Sequence, residues 1–503
     1  MSTSEPGIPL DYPRVERVRR YIRRTWRALL RSEEQWLRSA VDPKVSQGGK
    51  LLLYLPPGED VEAVARRLRR AAPDATDRLD VRPLPADPSR IREHGLLYLP
   101  HPYVVPGGRF NEMYGWDSYF IVVGLLHDGE VELARWMTDN QLYQIIHYGK
   151  VLNANRTYYL TRSQPPFVSR MVLDVFRHTG DAAWLADSVP ALERYHAYWV
   201  EESHLTPVTG LSRYHGGVAE PAPEVELGER DAEGRSHYDR VRAWFRERVG
   251  RGEDVSAYYD ATVDALTPLF FLSDRAMRES GFDPSNRFGP FSADCIHYNP
   301  VDLNCLLYAM EMDLAAIHTL LGHTRQASEW SRRAAWRAER IRELMWDPHA
   351  GLFFDYQFVE QRRSSYRFIT TFYPLWAGIA TEEQAARVVE NLPIFEREGG
   401  LQTSDQVTGN QWDAPFGWAP THIIAVEGLR RYGYRAEAER IARKFLALIL
   451  DDFEAHGTIR EKYDVVTRTS DVADALSFGY TSNEDGFGWT NAAFVHFLAL
   501  LTA

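Results

Sequence analysis

The strongest constraint on the fold is a succession of helix-length segments that fills most of the chain after residue 130. Val131 to His147, Arg170 to Thr179, Ala182 to Ser203, Tyr258 to Glu279, Asp302 to Leu321, Gln326 to Trp346, Glu382 to Asn391, Thr421 to Tyr432, Arg435 to Asp452 and Thr490 to Thr502 read as helices. Many carry apolar residues at i, i+3 and i+4, the spacing that turns one stripe of a helix toward a core. Strand-like segments between them are short, and the residues unusual for a core lie in the loops. Helix pairs with their functional loops at one end predict an all-α fold, an α/α barrel. No clean repeat runs through the segments, so a regular solenoid is not expected. Length alone, 503 residues, suggests roughly three domains, but helical barrels run longer as single domains.

The chain before the barrel reads differently. Asp11 to Leu37 is rich in arginine, with apolar Val15, Val18, Ile22, Trp26, Leu29 and Leu30 interspersed, which predicts an amphipathic helix with a basic face packed on the main body. Leu51 to Leu55 reads as a strand, Val61 to Ala72 as a helix and Leu79 to Leu84 as a second strand, closed by the proline-rich stretch Pro83 to Pro88. Residues 1–90 are therefore expected to form a small α/β decoration, and residues 91–503 the barrel. Gly210 to Gly252 is polar and charged, and reads either as a mobile excursion over a cleft or as a surface loop.

Charge and motifs narrow the function. The net charge of -12 argues against broad nucleic-acid binding. No run approaches the ~20 apolar residues of a membrane span, and Met1 to Gly7 lacks an apolar leader, so a cytoplasmic protein without a membrane partner is expected. Cys295 and Cys305 form no CxxC pair, which excludes a zinc ribbon. There is no HExxH and no GxSxG, so neither metal catalysis nor a serine triad is supported, and no cofactor is expected. The sequence does not define an oligomeric state.

One stretch concentrates the chemistry. Pro106 to Phe120 packs three glycines, an arginine, two acids and several aromatics into a short segment. Sugars offer hydroxyls to carboxylates and guanidinium groups, and C–H faces to aromatic rings. A buried aromatic turn closed by a salt bridge uses the same residues. Further clusters of this kind occur at Leu152 to Phe167, Glu279 to Arg287, Asn410 to Pro420, Arg460 to Asp464 and Asp485 to Asn491. Converging helix ends would gather them into one pocket. Glycoside hydrolysis needs one protonated and one ionised carboxyl group across the scissile bond. The residues alone offer too many acids to choose the pair, since an Asp in such a loop also serves as a helix cap or salt-bridge partner.

The motifs themselves are informative. Pro106 to Tyr119 fits PGGRFxExYxWDxY, and Gln411 to Pro420 fits QWDxPxGWxP. Asn153 with Arg156 to Phe167 resembles NGNRTYYLxRSQPPF, Glu279 to Asp283 resembles ASGWD, Glu461 to Asp464 reads EKYD, and Asp485 to Asn491 reads DGFGWTN. In this order, from about Pro106 to the C-terminus, the pattern resembles that of the trehalases of glycoside hydrolase family thirty-seven; the decoration before about residue 90 lies outside that motif pattern. The resemblance implies a barrel of six helix pairs and an inverting mechanism, with Asp283 as general acid and Glu461 as general base. Inversion implies about 6.5–9.5 Å between the carboxyls. By the same matching, Arg109, Phe110, Trp116, Asp117, Asn153, Arg162 and Trp412 would bind the glucosyl ring.

The chain departs from the pattern on the leaving-group side. The glycine-rich lid GGGGEY is replaced by Ser477 to Ser482, with Tyr480 near the place of the lid glutamate. RPE is Ala222-Pro223-Glu224, which loses the arginine and keeps Glu224 as a substrate-binding candidate, and Phe282 stands for a tryptophan. The substrate expected is a small α-glucoside: trehalose first, with neutral glucosylglycerol and then glucosylglycerate as alternatives, because no extra cation for glycerate is evident in the sequence. A non-catalytic sugar-binding protein is a third reading. A phosphorylase is a fourth, disfavoured because Glu461 would repel phosphate.

Overall fold

The computed structural model describes residues 11–32, 35, 50–226, 228, 230, 231, 233–480 and 482–502. Helix α1 (Tyr12–Leu29) opens on an Asp11 cap and buries Val15, Val18, Ile22, Trp26 and Leu29. Its arginines are drawn onto acids of the main body: Arg14 lies 2.7 Å from Asp451, Arg17 2.9 Å from Glu454 and Arg19 2.7 Å from Asp128. The helix expected to reach Leu37 ends at Leu29, because Leu30 and Arg31 turn extended to pair with Val104 and Tyr103. Positions 33, 34, 36 and 37 of that expectation lie outside the described residues.

Strand β1 (Leu51–Leu55), helix α2 (Val61–Ala71) and strand β2 (Leu79–Pro83) follow as the sequence predicts. The fully buried β1 runs parallel to β2 on one side and to β3 (Leu96–Leu97) on the other. The third strand of the small sheet thus comes from beyond residue 90. Leu52, Tyr54 and Leu97 cluster with Leu152, which ties the sheet to the helical body.

Among the described residues, six helices form an inner ring: α3 (Gly115–His127), α5 (Val168–Thr179), α9 (Val301–Leu320), α11 (Tyr373–Ala377), α13 (Ala419–Arg431) and α15 (Gly488–Thr502). Each packs on the next, and α15 closes on α3. Outside them lie α4 (Val131–Tyr148), α6 (Ala182–Trp199), α10 (Thr324–Met345), α12 (Glu382–Glu390), α14 (Arg435–His456) and α1. The fold is an (α/α)6 barrel. The outer α10 shows the physics of its layer: Ala327, Trp330, Ala334, Ala338, Ile341 and Met345 are buried at helical spacing, and the other face is charged.

Three expectations are corrected. Tyr258 to Glu279 is not one helix: Tyr259–Asp260 and Ala265–Leu266 form a hairpin, and α8 (Pro268–Ser280) begins only where Thr267 caps it and Pro268 takes the first position. Gly210 to Gly252 is not plain loop; it contains a helical turn at Pro223–Glu226 and α7 (His237–Gly250), whose Ser236 and Asp239 form a capping box. Helix α3 was not foreseen, because it is buried nearly all round and shows no polar face to read.

Candidate active site

The first turns of α3 and α15, the segments leading into α5 and α13, and the turn after α8 converge on one pocket of about 190 Å³. Its lining includes every expected site residue: Arg109, Phe110, Trp116, Asp117, Asn153, Arg162, Glu224, Asp283, Trp412, Glu461 and Tyr480. Strand β4 (Phe416–Trp418) pairs antiparallel with β5 (Lys462–Asp464), which sets Trp418 opposite Lys462, the residue after Glu461; Trp412 and Glu461 both line the pocket.

The apolar wall is a cluster of indoles. Trp412 stacks on Trp418 at 3.9 Å, and Trp116 lies 5.7 Å from Trp412 and 5.5 Å from Phe282. Trp489 anchors the wall to the chemistry by donating its indole N–H to the Glu461 carbonyl at 3.0 Å. Gly281 makes the approach of Trp116 possible: its φ is +76°, and a Cβ there would stand 2.9 Å from the indole.

The polar wall is built on arginines. Arg162 donates to Glu224 at 2.5 Å and to Asn153 at 3.5 Å. Its Nε and Nη1 and the second oxygen of Glu224 are buried without protein partners among the described residues. Such groups are costly unless a ligand completes them, and a hydroxyl does so as donor and acceptor together. Burial alone would raise Glu224, but Arg162, Arg275 and Arg278 outweigh it and hold the carboxyl below its ordinary value. Arg109 is held by Glu484, which accepts from its backbone N–H at 2.9 Å and lies 3.3 Å from Nε. Gly108, with φ of +47°, is required there because any Cβ would collide with the Glu484 carboxylate.

Besides Glu224, three acids line this pocket among the described residues. Burial, with Glu461 and Asp283 nearby, pushes Asp117 well above the ordinary carboxylate range. Burial pushes Asp283 up to about 6 against the pull of Arg278 and Arg162. Arg278 forms two hydrogen bonds to Asp274, at 2.9 and 3.0 Å, and reaches Asp283 at 3.3 Å with its remaining nitrogen. Glu461 is also raised by burial, opposed by Lys462, by a hydrogen bond from the Tyr480 hydroxyl and by Arg109. Lys462 is fully buried, 3.6 Å from the second Glu461 oxygen, and burial brings it down to about 8.

Several lining residues were missed by the sequence reading: Arg278, Arg240, His237, Gln411 and Lys462. Lys462 stands inside the EKYD motif and was readable there. Arg278 lies inside a helix, five positions before Asp283, and nothing in the local pattern marks it. Other motif acids proved structural. Glu112 pairs with buried Arg156 at 2.5 Å, so the opening stretch holds a salt bridge as well as site residues. Asp413 accepts from Asn286, Thr408 and Tyr366. Glu279 accepts from Ser163, Tyr198, His204 and His215. Among the described residues no group of three or more His, Cys, Asp or Glu is arranged to hold a metal.

Comparison with known proteins is consistent across the chain. The family model "Trehalase" matches residues 19–502, which takes in residues 19–90 of the N-terminal decoration that the motif pattern left out. Cytosolic neutral trehalase of Saccharomyces cerevisiae is 39% identical over 433 residues, covering 78% of this chain and 56% of that protein. Cytosolic neutral trehalase of Emericella nidulans is 37% identical over 519 residues, covering 90% of this chain and 67% of that protein. This chain therefore spans only 56–67% of the length of these two relatives. The structure of neutral trehalase Nth1 from Saccharomyces cerevisiae superposes with a TM-score of 0.80 at 33% identity, over 97% of this chain and 94% of that one. A GH63 mannosylglycerate hydrolase from Thermus thermophilus shares the fold alone, with a TM-score of 0.54 at 21% identity over 79% of this chain and 95% of that one.

Proposed function

The chain belongs to the trehalase family, and from that premise we propose that it hydrolyses α,α-trehalose to two glucose molecules with inversion at the attacked carbon. The observation that carries this reading is a pair of buried carboxyls in one pocket with different polar partners. Asp283 is pushed up to about 6 by burial, against Arg278 and Arg162, which favours its role as the proton donor. Glu461 is raised by burial too, but Lys462, a hydrogen bond from the Tyr480 hydroxyl and Arg109 favour its ionised form.

In this reading the cleaved glucosyl ring lies against Trp116, Trp412 and Phe110. Asp117, Asn153, Arg109 and Arg162 with Glu224 take its hydroxyls. Asp283 protonates the glycosidic oxygen as the C1–O bond breaks. Glu461 takes a proton from a water whose oxygen attacks C1 from the opposite face. The attacked ring leaves as β-glucose and the other as α-glucose. No cofactor enters the scheme. The relatives named cytosolic support a cytosolic setting, and no helix among the described residues is long and apolar enough to cross a membrane.

A second reading concerns the leaving group. Arg240 lines the pocket, and its hydrogen bonds go to the carbonyls of Ser477 at 2.9 Å and Gly479 at 3.4 Å rather than to an acid. A cation so placed favours glucosylglycerate over glucosylglycerol as the alternative substrate, reversing the order expected from sequence. Glucose release from trehalose, glucosylglycerol and glucosylglycerate, with Asp283→Ala as blank, tests both readings. Trehalose should be turned over fastest by orders of magnitude. Release from a glyceryl glucoside alone would overturn the trehalose assignment.

A further inference from the structure

We propose that Tyr480 is a positioning residue for the base: the loop over the pocket carries its hydroxyl onto Oε1 of Glu461, where this neutral donor fixes the carboxylate and leaves Oε2 to take the proton of the attacking water. The inference rests on the reading of Glu461 as that base.

The ring that carries the hydroxyl, and the loop that carries the ring, are held by several contacts. The Lys462 ammonium sits 3.8 Å from the centre of the Tyr480 ring and the Arg109 guanidinium 4.8 Å from it, two cation–π contacts. Phe110 meets the ring edge-on at 6.4 Å. Lys462 also holds the loop backbone, donating to the carbonyls of Tyr480 at 3.3 Å and Ser482 at 3.1 Å. From the opposite side, Arg240 on α7 ties down the carbonyls of Ser477 and Gly479. Gly479 has a φ of +108°, and a Cβ there would stand 2.8 Å from the Gln411 side chain, so the turn that delivers Tyr480 needs glycine. With its O–H donated to Glu461, Tyr480 can meet a sugar hydroxyl only as an acceptor, which narrows the substrate-binding role expected from sequence.

The chemistry of the residue matters as much as its place. Glu461 faces Lys462, the next residue along the chain, Arg109 and Asp117 from the first motif, and Glu484 and Tyr480 from the loop after β5. A further carboxylate at position 480 would repel Glu461 and favour its protonated, inactive form. The phenol is pushed well above its ordinary value, first by burial and then by Glu461, so it stays a neutral donor at any working pH. The second oxygen, Oε2, is buried with no hydrogen-bond partner among the described residues and 3.6 Å from the Lys462 ammonium. One oxygen is anchored and the other is left for chemistry.

A donor to the carboxylate favours its ionised form, so removing the donor raises the pKa of the base and moves the acidic limb of the rate profile to higher pH. In Tyr480→Phe, kcat for trehalose should fall about tenfold and the acidic limb of kcat/KM should rise by about one pH unit, with KM within about twofold. Tyr480→Glu should move that limb further up. Thermal midpoints within a few degrees of wild type establish that the variants fold. A raised KM with kcat and the limb unchanged would overturn the proposal in favour of a substrate contact, and so would a wild-type profile. Glu461→Gln, measured alongside, isolates the premise: full activity in that variant alone would overturn the base assignment, and the proposal with it, whatever Tyr480→Phe shows.

Discussion

Arg278 offers a direct handle on the proton donor. Its free nitrogen stands 3.3 Å from Asp283, while its other two contacts are spent on Asp274. At an effective dielectric of about 20, a unit charge pair at this distance is worth about 5 kcal/mol, or more than three pH units. One effect reduces that figure: about a third of the Asp283 side chain (34%) is exposed, and solvent screens the pair. The net expectation for Arg278→Gln is therefore a rise in the Asp283 pKa of about 1–3 units. Asp283 must be protonated to act, so the basic limb of kcat/KM should move to higher pH by that amount. Arg278→Gln also leaves Asp274 buried with Tyr238, at 2.7 Å, as its one remaining side-chain donor among the described residues, at a stability cost of ~3–5 kcal/mol. The double variant Arg278→Gln with Asp274→Asn avoids most of that cost, and its limb should fall between the single variant and wild type. A pH–rate series on the three proteins checks the order. A basic limb that stays fixed, or moves down, would refute the assignment of Asp283 as the acid governed by Arg278.

Two other perturbations follow from geometry. Glu279 gathers four donors from separate segments, at 2.8–3.2 Å; Glu279→Ala should cost ~3–5 kcal/mol, read as a large fall in thermal midpoint, and a fall of only a degree or two would contradict its role as a hub. Gly281→Ala places a Cβ against Trp116 in a left-handed conformation, two residues before Asp283; it should lower kcat/KM at least about tenfold by displacing the acid, and wild-type kinetics would show that the turn tolerates it.

Much of the site was legible in the sequence because its residues sit in compact motifs at helix ends. Trp116 and Asp117 occupy the first turn of α3, and Asp283 follows the left-handed glycine that ends α8. The outer helices were legible too, since α10 and α14 alternate buried and charged faces. What escaped has physical reasons. Helix α3 is buried on nearly all sides and gives no amphipathic period. The hairpin at Tyr259–Asp260 and Ala265–Leu266 interrupts a region whose apolar spacing also suits a helix. Arg278 and Arg240 project from helices whose sequence shows only exposed-looking charge, and their pairing with Asp274 and with the loop carbonyls is purely tertiary. Position 224 illustrates both sides: Glu224 was found from its motif, but its partnership with Arg162 depends on the turn at Pro223–Glu226 folding back over the pocket.

The central claim is inversion by two carboxyls on an α,α-linked disaccharide, and the anomers of the first product test it most directly. Proton NMR of a fresh trehalose digest, followed before mutarotation, should show β- and α-glucose appearing in equal amounts. Formation of α-glucose alone would mean retention, and would contradict the roles assigned to Asp283 and Glu461.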